Sequence, residues 1–289
     1  MQSSLAKFAN VDGQNGKLIM PFPHSEKYNP ECLKYDKLSV ADRLAQIEHE
    51  LSPDEVTSLL SFVLLMSGGT PENTSFYEFL HWWALCHHSY EYCVEYLIKY
   101  KFRGGQSSFA IKFFQEAKAT NRLSHAFNTA VAAIRDVGSA VHVTVRDGRT
   151  FRASRVISTI PLNVLKDVTF DPPLSSGKSA ATKVGHINKI VKVHAECRNP
   201  ELRSWSGVNY PHNQLMYAIG DGTTPSGNTH IVAFGGGFSD LTPEKDIQTT
   251  QSALQGLVPM DIERIVSCAR NFFRAELIAD GRLRSSTTG

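Results

Sequence analysis

Apolar residues recur at helical spacing in the first third of the chain, after an opening stretch without that period. Residues 1–38 are rich in glycine, proline and asparagine, which favours loop. Ser39 is predicted to cap a helix with an apolar stripe, and Ser52-Pro-Asp-Glu55 is predicted to start another. This second helix is apolar on nearly every side, so we expect it to be buried and to end at Gly68-Gly69.

The middle of the chain is predicted to pass from helices to a β-hairpin. Helices are predicted near residues 76–86, near 90–100 and from about 106 onward. Valines alternate with polar residues over 141–145, the Asp147-Gly148 pair makes a tight turn, and the chain returns from Phe151. This arrangement is typical of a β-hairpin.

A short β-branched run follows the hairpin. Val156, Ile157 and Ile160 are predicted to form a buried strand. Pro161 would end that strand because it has no backbone donor for a ladder. A turn of helix is expected directly after it.

A second β region is predicted from residue 186 onward. Alternate side chains of 186–196 fall on opposite faces, so Asn188, Lys192 and His194 share one face and Val191 lies on the other. Further strands are predicted at 217–219 and 230–234, with a helix at 243–257.

Composition narrows the functional classes. The 289 residues are 42% hydrophobic, which is enough to bury a substantial core. The net charge of +2 gives no electrostatic case for binding nucleic acid or an anionic membrane. Five scattered cysteines favour a reducing compartment. No signal peptide, membrane-spanning run or C-terminal peroxisomal signal is visible, so we expect a cytoplasmic protein.

Two groups of residues could carry chemistry. Lys192 falls between apolar neighbours in a predicted strand, where it is either a functional cation or an ordinary lysine on an open face. Cys86, His87, His88 and Cys93 suggest zinc. Adjacent histidines and single cysteines lack the usual paired ligand spacing, so we expect no metal site.

Several stretches resemble one family of enzymes. The segment Arg-Val-Ile-Ser-Thr-Ile-Pro-Leu-Asn-Val-Leu at 155–165, followed by Phe170-Asp-Pro-Pro-Leu174, resembles the flavin-containing amine oxidases. Residues 75–83, 100–107 and Tyr-Ala-Ile-Gly-Asp-Gly-Thr-Thr-Pro at 217–225 are similar to the fungal monoamine oxidases in particular. The resemblance runs from about residue 5 to about residue 266.

The resemblance implies a fold and a reaction. The expected fold is α+β: a substrate-binding domain, in which helices cover a mixed sheet, with a partial FAD-binding α/β domain. The expected reaction uses FAD to oxidise a primary or related amine to an imine while O2 is reduced to H2O2. Lys192 best matches the family's lysine that is bound through a water to the flavin N5, and Lys189 is the alternative.

The resemblance also implies binding residues. Trp82 belongs to an aromatic stripe that is core packing by default. In the family this helix also lines the substrate cavity, and the matching wall positions here are Phe62, Leu65, Trp82, Val94, Ile98, Asn188, Tyr217 and Ile219. Val131 matches a position whose backbone contacts the adenine end of FAD.

The sequence departs from the family at both ends. No Gly-x-Gly-x-x-Gly follows an early strand, and the tail after about residue 266 matches no family segment. We therefore expect a truncated chain that is inactive alone and does not hold FAD tightly, with exposed strand edges that favour oligomers. The alternative is a non-catalytic remnant that binds a ligand or a protein.

The expected domain organisation follows the family. Residues 1–104 would be the helical part of the substrate domain and 105–172 a partial FAD-binding domain. Residues 173–266 would be the sheet part of the substrate domain, and 267–289 a divergent tail.

Overall fold

The chain forms two compact units. The computed structural model describes residues 1–23, 26–186 and 189–258, and the backbone of 264–270. One unit contains residues 1–101 together with 189–258 and 264–270, and the other contains residues 102–186. Each unit combines helices with a β-sheet, which confirms the predicted α+β class.

The helices are distributed along the described chain. They are α1 (Gln2–Ala9), α2 (Val40–Ile47), α3 (Pro53–Ser67), α4 (Phe76–Leu85), α5 (Tyr90–Val94), α6 (Gln106–Ala119), α7 (Leu162–Leu165), α8 (Ser176–Val184) and α9 (Ile247–Gln255). Short 3-10 segments lie at Pro30–Lys37, Glu48–Glu50 and Pro200–Ser204, and a π-helical turn at Glu95–Lys99 follows α5. Among the described helices, none is long and apolar enough to cross a bilayer.

The strands form two sheets, one in each unit. They are β1 (Val131–Asp136), β2 (Val141–Val145), β3 (Thr150–Ala153), β4 (Thr169–Asp171), β5 (Val191–Cys197), β6 (Ser206–Val208), β7 (Tyr217–Thr223), β8 (Thr229–Gly235) and β9 (Arg264–Arg270). The first unit contains the order β6-β7-β8-β5-β9, with every neighbouring pair antiparallel. The second unit contains the order β3-β2-β1-β4.

The predicted caps of α2 and α3 are confirmed. The Ser39 hydroxyl accepts from the Asp42 N–H at 3.0 Å, and the Asp42 carboxylate accepts from the Ser39 N–H at 2.9 Å. Ser52 and Glu55 form the same reciprocal pair at the start of α3. Gly68 ends α3 in the left-handed region at φ 66°, where glycine carries no steric penalty.

The prediction that residues 1–38 are mostly loop is wrong in two places, where α1 and the 3-10 segment Pro30–Lys37 form. Helix α1 buries Leu5 and Phe8 completely, so tertiary packing rather than local propensity stabilises this short helix. Arg43 of α2 lies against its C-terminal end. Its guanidinium donates to the carbonyl oxygens of Phe8 at 2.9 Å, Lys7 at 3.1 Å and Asn10 at 3.2 Å.

The predicted buried strand at Val156, Ile157 and Ile160 is also wrong. These residues form no strand, and the Ile157 side chain is 92% exposed. A strand is stable only when another strand pairs with it, and the second sheet pairs β1 with β2 and β4 instead. The predicted hairpin of β2 and β3 is confirmed, with Gly148 at φ 90° in its turn.

The predicted alternation along β5 is confirmed and defines the two faces of the first sheet. Val191, Val193 and Ala195 are fully buried on one face, in a core that includes Leu254 of α9. Lys192 and His194 lie on the other face. Residues paired across antiparallel strands share a face. This second face therefore also carries the partners that β8 and β7 place beside Lys192 and His194, namely Phe234, Tyr217, Val232 and Ile219.

Candidate functional site

Lys192 occupies a half-buried position in the middle of the sheet of the first unit. Its Nζ lies 5.4 Å from the centroid of the Phe234 ring, within reach of a cation–π contact. Phe234 packs against the helical core of the same unit. Among the described residues, no carboxylate forms an ion pair with Lys192. The lysine is therefore a cation beside an aromatic ring.

The alternative lysine, Lys189, has different surroundings. It precedes β5, its side chain is exposed, and its backbone N–H donates to the Gly68 carbonyl at 3.2 Å. The glycines after β8 approach the end of α3 equally closely, since a Cβ on Gly236 would lie 3.1 Å from the Gly69 carbonyl oxygen. This close backbone approach fixes the end of α3 beside the start of β5.

Next to Lys192, four ionisable side chains contact one another in a row. His194 Nδ1 lies 3.0 Å from His230 Nε2, and the two rings stack with centroids 5.1 Å apart. His230 Nδ1 lies 3.1 Å from Asp221 Oδ2. The other oxygen of Asp221 forms an ion pair with Lys101, whose side chain is half exposed. We call these four residues the polar row.

Burial and nearby cations keep both histidines of the polar row neutral. Desolvation, together with the positive charge of Lys192, lowers the pKa of His194 to about 4. Desolvation, together with Lys101 and Lys192, lowers the pKa of His230, which Glu196 partly opposes. Both rings therefore carry one N–H at neutral pH.

A buried carboxylate lies at the far end of the same face. Glu196 accepts from Thr224 at 2.7 Å and from Asn228 at 3.0 Å, and it also contacts the Ser226 hydroxyl. These donors belong to the turn that joins β7 to β8. Donors of this kind compensate the cost of burying a carboxylate, so Glu196 is a structural residue of that turn.

The predicted wall residues of the substrate cavity that the structure describes lie in the first unit. Phe62 and Tyr217 are buried in the helical core, and Leu65 and Ile219 pack against it. Val94 and Ile98 lie half buried in α5 and the following π-helical turn. Asn188 lies outside the described residues.

A small cavity lies between α3 and α4. Phe62, Trp82 and Cys93 are among its lining residues, and its volume is about 20 Å³. That volume holds one water-sized sphere, whereas ligand cavities occupy roughly 300–1,000 Å³. The side chains around it would have to move before an amine of any size could enter.

Tyr217 connects the sheet face to the helices. Its side chain is 2% exposed and hydrogen-bonds to Tyr90 of α5. Desolvation, reinforced by Tyr90, raises the pKa of Tyr217 well above its ordinary value. Phe62 packs edge-on against the same Tyr90 at 5.4 Å. Two of the predicted wall residues therefore contact one tyrosine that the sequence did not single out.

Val131 lines a larger groove in the second unit. It is the first residue of β1 and precedes the β2–β3 hairpin. The groove has a volume of about 350 Å³ and is lined by Ser124, His125, Ala126, Thr129, Val131, Val143, Val145 and Phe151. Its size and its mixture of apolar and polar walls suit a flat heteroaromatic group.

The candidate metal ligands do not come together in the described part of the chain. Cys86 and Cys93 are buried and hydrogen-bond to each other, and His88 Nε2 lies 2.8 Å from the Met20 carbonyl oxygen. His87 is exposed and stacks on Phe22. No group of three or more metal-ligating side chains occurs within the described residues.

Sequence reasoning placed His194 on the face of Lys192, but it assigned no role to His194, His230 or Asp221. Asp221 belongs to a Gly-Asp-Gly stretch that resembles a turn, and His230 opens a predicted strand. Ionisable residues at strand positions were the available signal. The register of three strands was needed to bring them together.

Comparison with known proteins gives consistent matches. A family model described as flavin containing amine oxidoreductase matches residues 1–282. Nicotine dehydrogenase from Pseudomonas putida (strain DSM 28022 / S16) is 26% identical over 180 residues, which are 62% of this chain and 36% of that enzyme. The chain thus spans about a third of the length of this curated relative.

Two solved structures share the fold. A triple mutant of putrescine oxidase matches 95% of this chain and 62% of its own, with a TM-score of 0.72 at 17% identity. Cyclohexylamine oxidase from Brevibacterium oxydans IH-35A matches 96% of this chain and 61% of its own, with a TM-score of 0.65 at 14% identity. At these identities the likeness is one of fold.

Proposed function

Because the chain belongs to the family of flavin-containing amine oxidoreductases, we propose that the protein is an FAD-dependent oxidase of an amine, in which Lys192 stabilises charge. The observation that carries the proposal is the position of Lys192. It is a half-buried lysine without a carboxylate partner among the described residues, on a sheet face shared with Tyr217 and Ile219. Partial burial of a cation without an ion-pair partner costs free energy, which makes Lys192 a candidate for a functional role.

The residues present fit FAD in each unit separately. In the second unit, the groove beside Val131 has the size and the walls for a flat ring such as adenine. In the first unit, Lys192 offers an uncompensated positive charge to an electron-rich group. Bound FAD would supply the electron acceptor for the amine and would pass the electrons on to oxygen, giving H2O2.

Lys192 would act through electrostatics and proton donation. Its ammonium group has three N–H donors and is half buried, where one charge has a larger effect than in bulk water. It can therefore stabilise negative charge that develops nearby, and it can order a water molecule. Neither role requires Lys192 to form a covalent bond.

An apolar amine suits the surroundings of Lys192. The neighbouring side chains on the sheet face are Phe234, Tyr217, Val232 and Ile219. An apolar surface favours the neutral amine over the ammonium ion, and the neutral amine has the lone pair that oxidation needs. The relatives whose names specify nicotine, putrescine or cyclohexylamine support an amine as the substrate class.

Replacing Lys192 tests the proposal in the chain joined to the flanking segments of a full-length relative, because the chain alone is expected to be inactive. Lys192→Met keeps much of the side-chain length and removes the charge and the donors. Reoxidation of the flavin by oxygen should slow about tenfold or more, which corresponds to a loss of ~1.4 kcal/mol of stabilisation. Reduction of the flavin by the amine should change less, because the apolar surface that would receive the amine remains.

Lys189→Met is the matched control, since Lys189 is exposed and precedes the strand. It should leave both half-reactions close to the unsubstituted values. Rapid-mixing measurement of flavin absorbance in the two half-reactions gives both rates. The assignment is wrong if Lys189→Met slows reoxidation and Lys192→Met does not.

A further inference from the structure

The polar row lies on the sheet face of Lys192 and has no part in the role proposed for that lysine. The donor and the acceptor of each hydrogen bond in the row follow from the chemistry of the groups. An ionised carboxylate only accepts, so the Asp221 contact at 3.1 Å requires a proton on His230 Nδ1. A neutral His230 then has a bare Nε2, which accepts from Nδ1–H of His194 at 3.0 Å. The open end of the row is the Nε2 lone pair of His194.

The charged groups around the row support this order. On β5 they are Lys192 and Glu196, on β8 His230, on β7 Asp221, and after the π-helical turn Lys101. Lys192 disfavours a second proton on either ring, and Lys101 disfavours one on His230. The lowered pKa of both histidines agrees with single protonation at neutral pH.

We infer that His194, His230 and Asp221 form a proton relay from the Lys192 face of the sheet to the half-exposed edge at Lys101. The role of this relay rests on the proposed oxidase function. An alkyl amine with a pKa near the ~10.4 of lysine reaches the protein as the ammonium ion, and it must lose a proton before it can be oxidised. The relay gives that proton a route away from the apolar surface.

Each step of the relay moves one proton. The N–H bond of the ammonium ion breaks as its proton bonds to His194 Nε2, directly or through one water. The Nδ1 proton of His194 passes to His230 Nε2, and the Nδ1 proton of His230 passes to Asp221. Asp221 releases the proton to water beside Lys101, and rotation of the rings or exchange with water resets the tautomers.

The order of the hydrogen bonds can be tested without any amine. Two-bond proton–nitrogen NMR spectra of the full chain, labelled with ¹⁵N-histidine, report the tautomer of each ring. Both His194 and His230 should be Nδ1–H tautomers at pH 7. In Asp221→Leu, which removes the final acceptor, both should become mixtures of tautomers. A predominant Nε2–H tautomer for either ring, or a doubly protonated ring at pH 7, in the unsubstituted chain would overturn the relay.

A pH profile tests the purpose of the relay. In His194→Gln, kcat/KM for an amine should fall about tenfold or more at pH 7, as expected when a proton acceptor is lost. It should recover above the pKa of the amine, where the neutral form is already abundant. His212→Gln, at an exposed position in the turn before β7, should keep the unsubstituted profile.

The outcomes separate the relay from the oxidase function. In an active protein, a loss in His194→Gln that is equal at every pH, or no loss at all, overturns the relay. No turnover in the unsubstituted protein contradicts the oxidase function instead. The tautomer measurement then decides the relay by itself, because it needs neither FAD nor an amine.

Discussion

Lys192 and His194 lie two positions apart on one face of β5, and the same half-buried surroundings affect them differently. Lys192 places its ammonium group over the Phe234 ring. His194 loses its charge instead, since burial and Lys192 lower its pKa to about 4. One residue is therefore a fixed cation and its neighbour a neutral proton acceptor, which is the combination that the proposed chemistry uses.

This difference predicts how stability depends on pH. The unfolded chain binds a proton at His194 near pH 6.5, whereas the folded chain does so only near pH 4. Between these values the unfolded state binds more protons, so the free energy of unfolding should fall as the pH falls from about 6.5 to 4. His194→Gln should flatten this part of the profile.

Denaturant unfolding at a series of pH values measures the effect. His212→Gln removes an exposed histidine and should retain the slope of the unsubstituted chain. Equal slopes for His194→Gln and the unsubstituted chain would show that His194 titrates alike in both states.

The sequence predicted the position of a side chain correctly where that position depends on one strand alone. Alternation alone placed Lys192 opposite Val191, because successive side chains of a strand point to opposite faces. It could not bring His230 or Asp221 to His194, since those contacts depend on the register of separate strands. The roles of the predicted site residues, Lys192 and Val131 included, stay predictions.

At the scale of elements, the sequence best predicts helices whose first residue is fixed by hydrogen bonds between residues close together in the chain. The caps at Ser39 and Ser52 are such cases, because each hydrogen bond joins residues three positions apart. The predictions for residues 1–38, where α1 forms, and for the region around Ile157 were wrong for the opposite reason. Helix α1 depends on packing with distant residues, and an apolar run forms a strand only where a partner strand pairs with it.

The packing of α1 leads to a prediction about Arg43. Its buried guanidinium donates to three carbonyl groups at the end of α1. Arg43→Met keeps the apolar stem and removes those donors, which should reduce the local stability of α1 by about 2–3 kcal/mol. The amides of α1 should then exchange with solvent about 30-fold faster or more, and hydrogen exchange followed by mass spectrometry measures this.

Arg152→Met is the matched control, because Arg152 is exposed on β3 in the other unit. It should leave exchange in α1 unchanged. If Arg43→Met and Arg152→Met give the same exchange in α1, the guanidinium does not hold the end of that helix.

At the scale of the whole molecule, the chain has two compact units and a family match along nearly all its length. The second unit exposes several large apolar side chains, among them Ile157, Val184, Phe113 and Phe127. Exposed apolar surface favours association, which agrees with the oligomer expected from the sequence. The oligomeric state itself stays a prediction. The assignment of the units to substrate and cofactor domains likewise stays a prediction.

The most direct test of the oxidase proposal uses the chain joined to the flanking segments of a full-length relative. Its flavin absorbance is followed, with excess FAD, during an anaerobic titration with an amine. Excess FAD allows for weak binding. The amine should bleach the oxidised flavin bands, and admission of oxygen should restore them with one H2O2 formed for each amine consumed. Absence of flavin binding, or bound flavin that no amine bleaches, would contradict the proposal and favour a non-catalytic binding module.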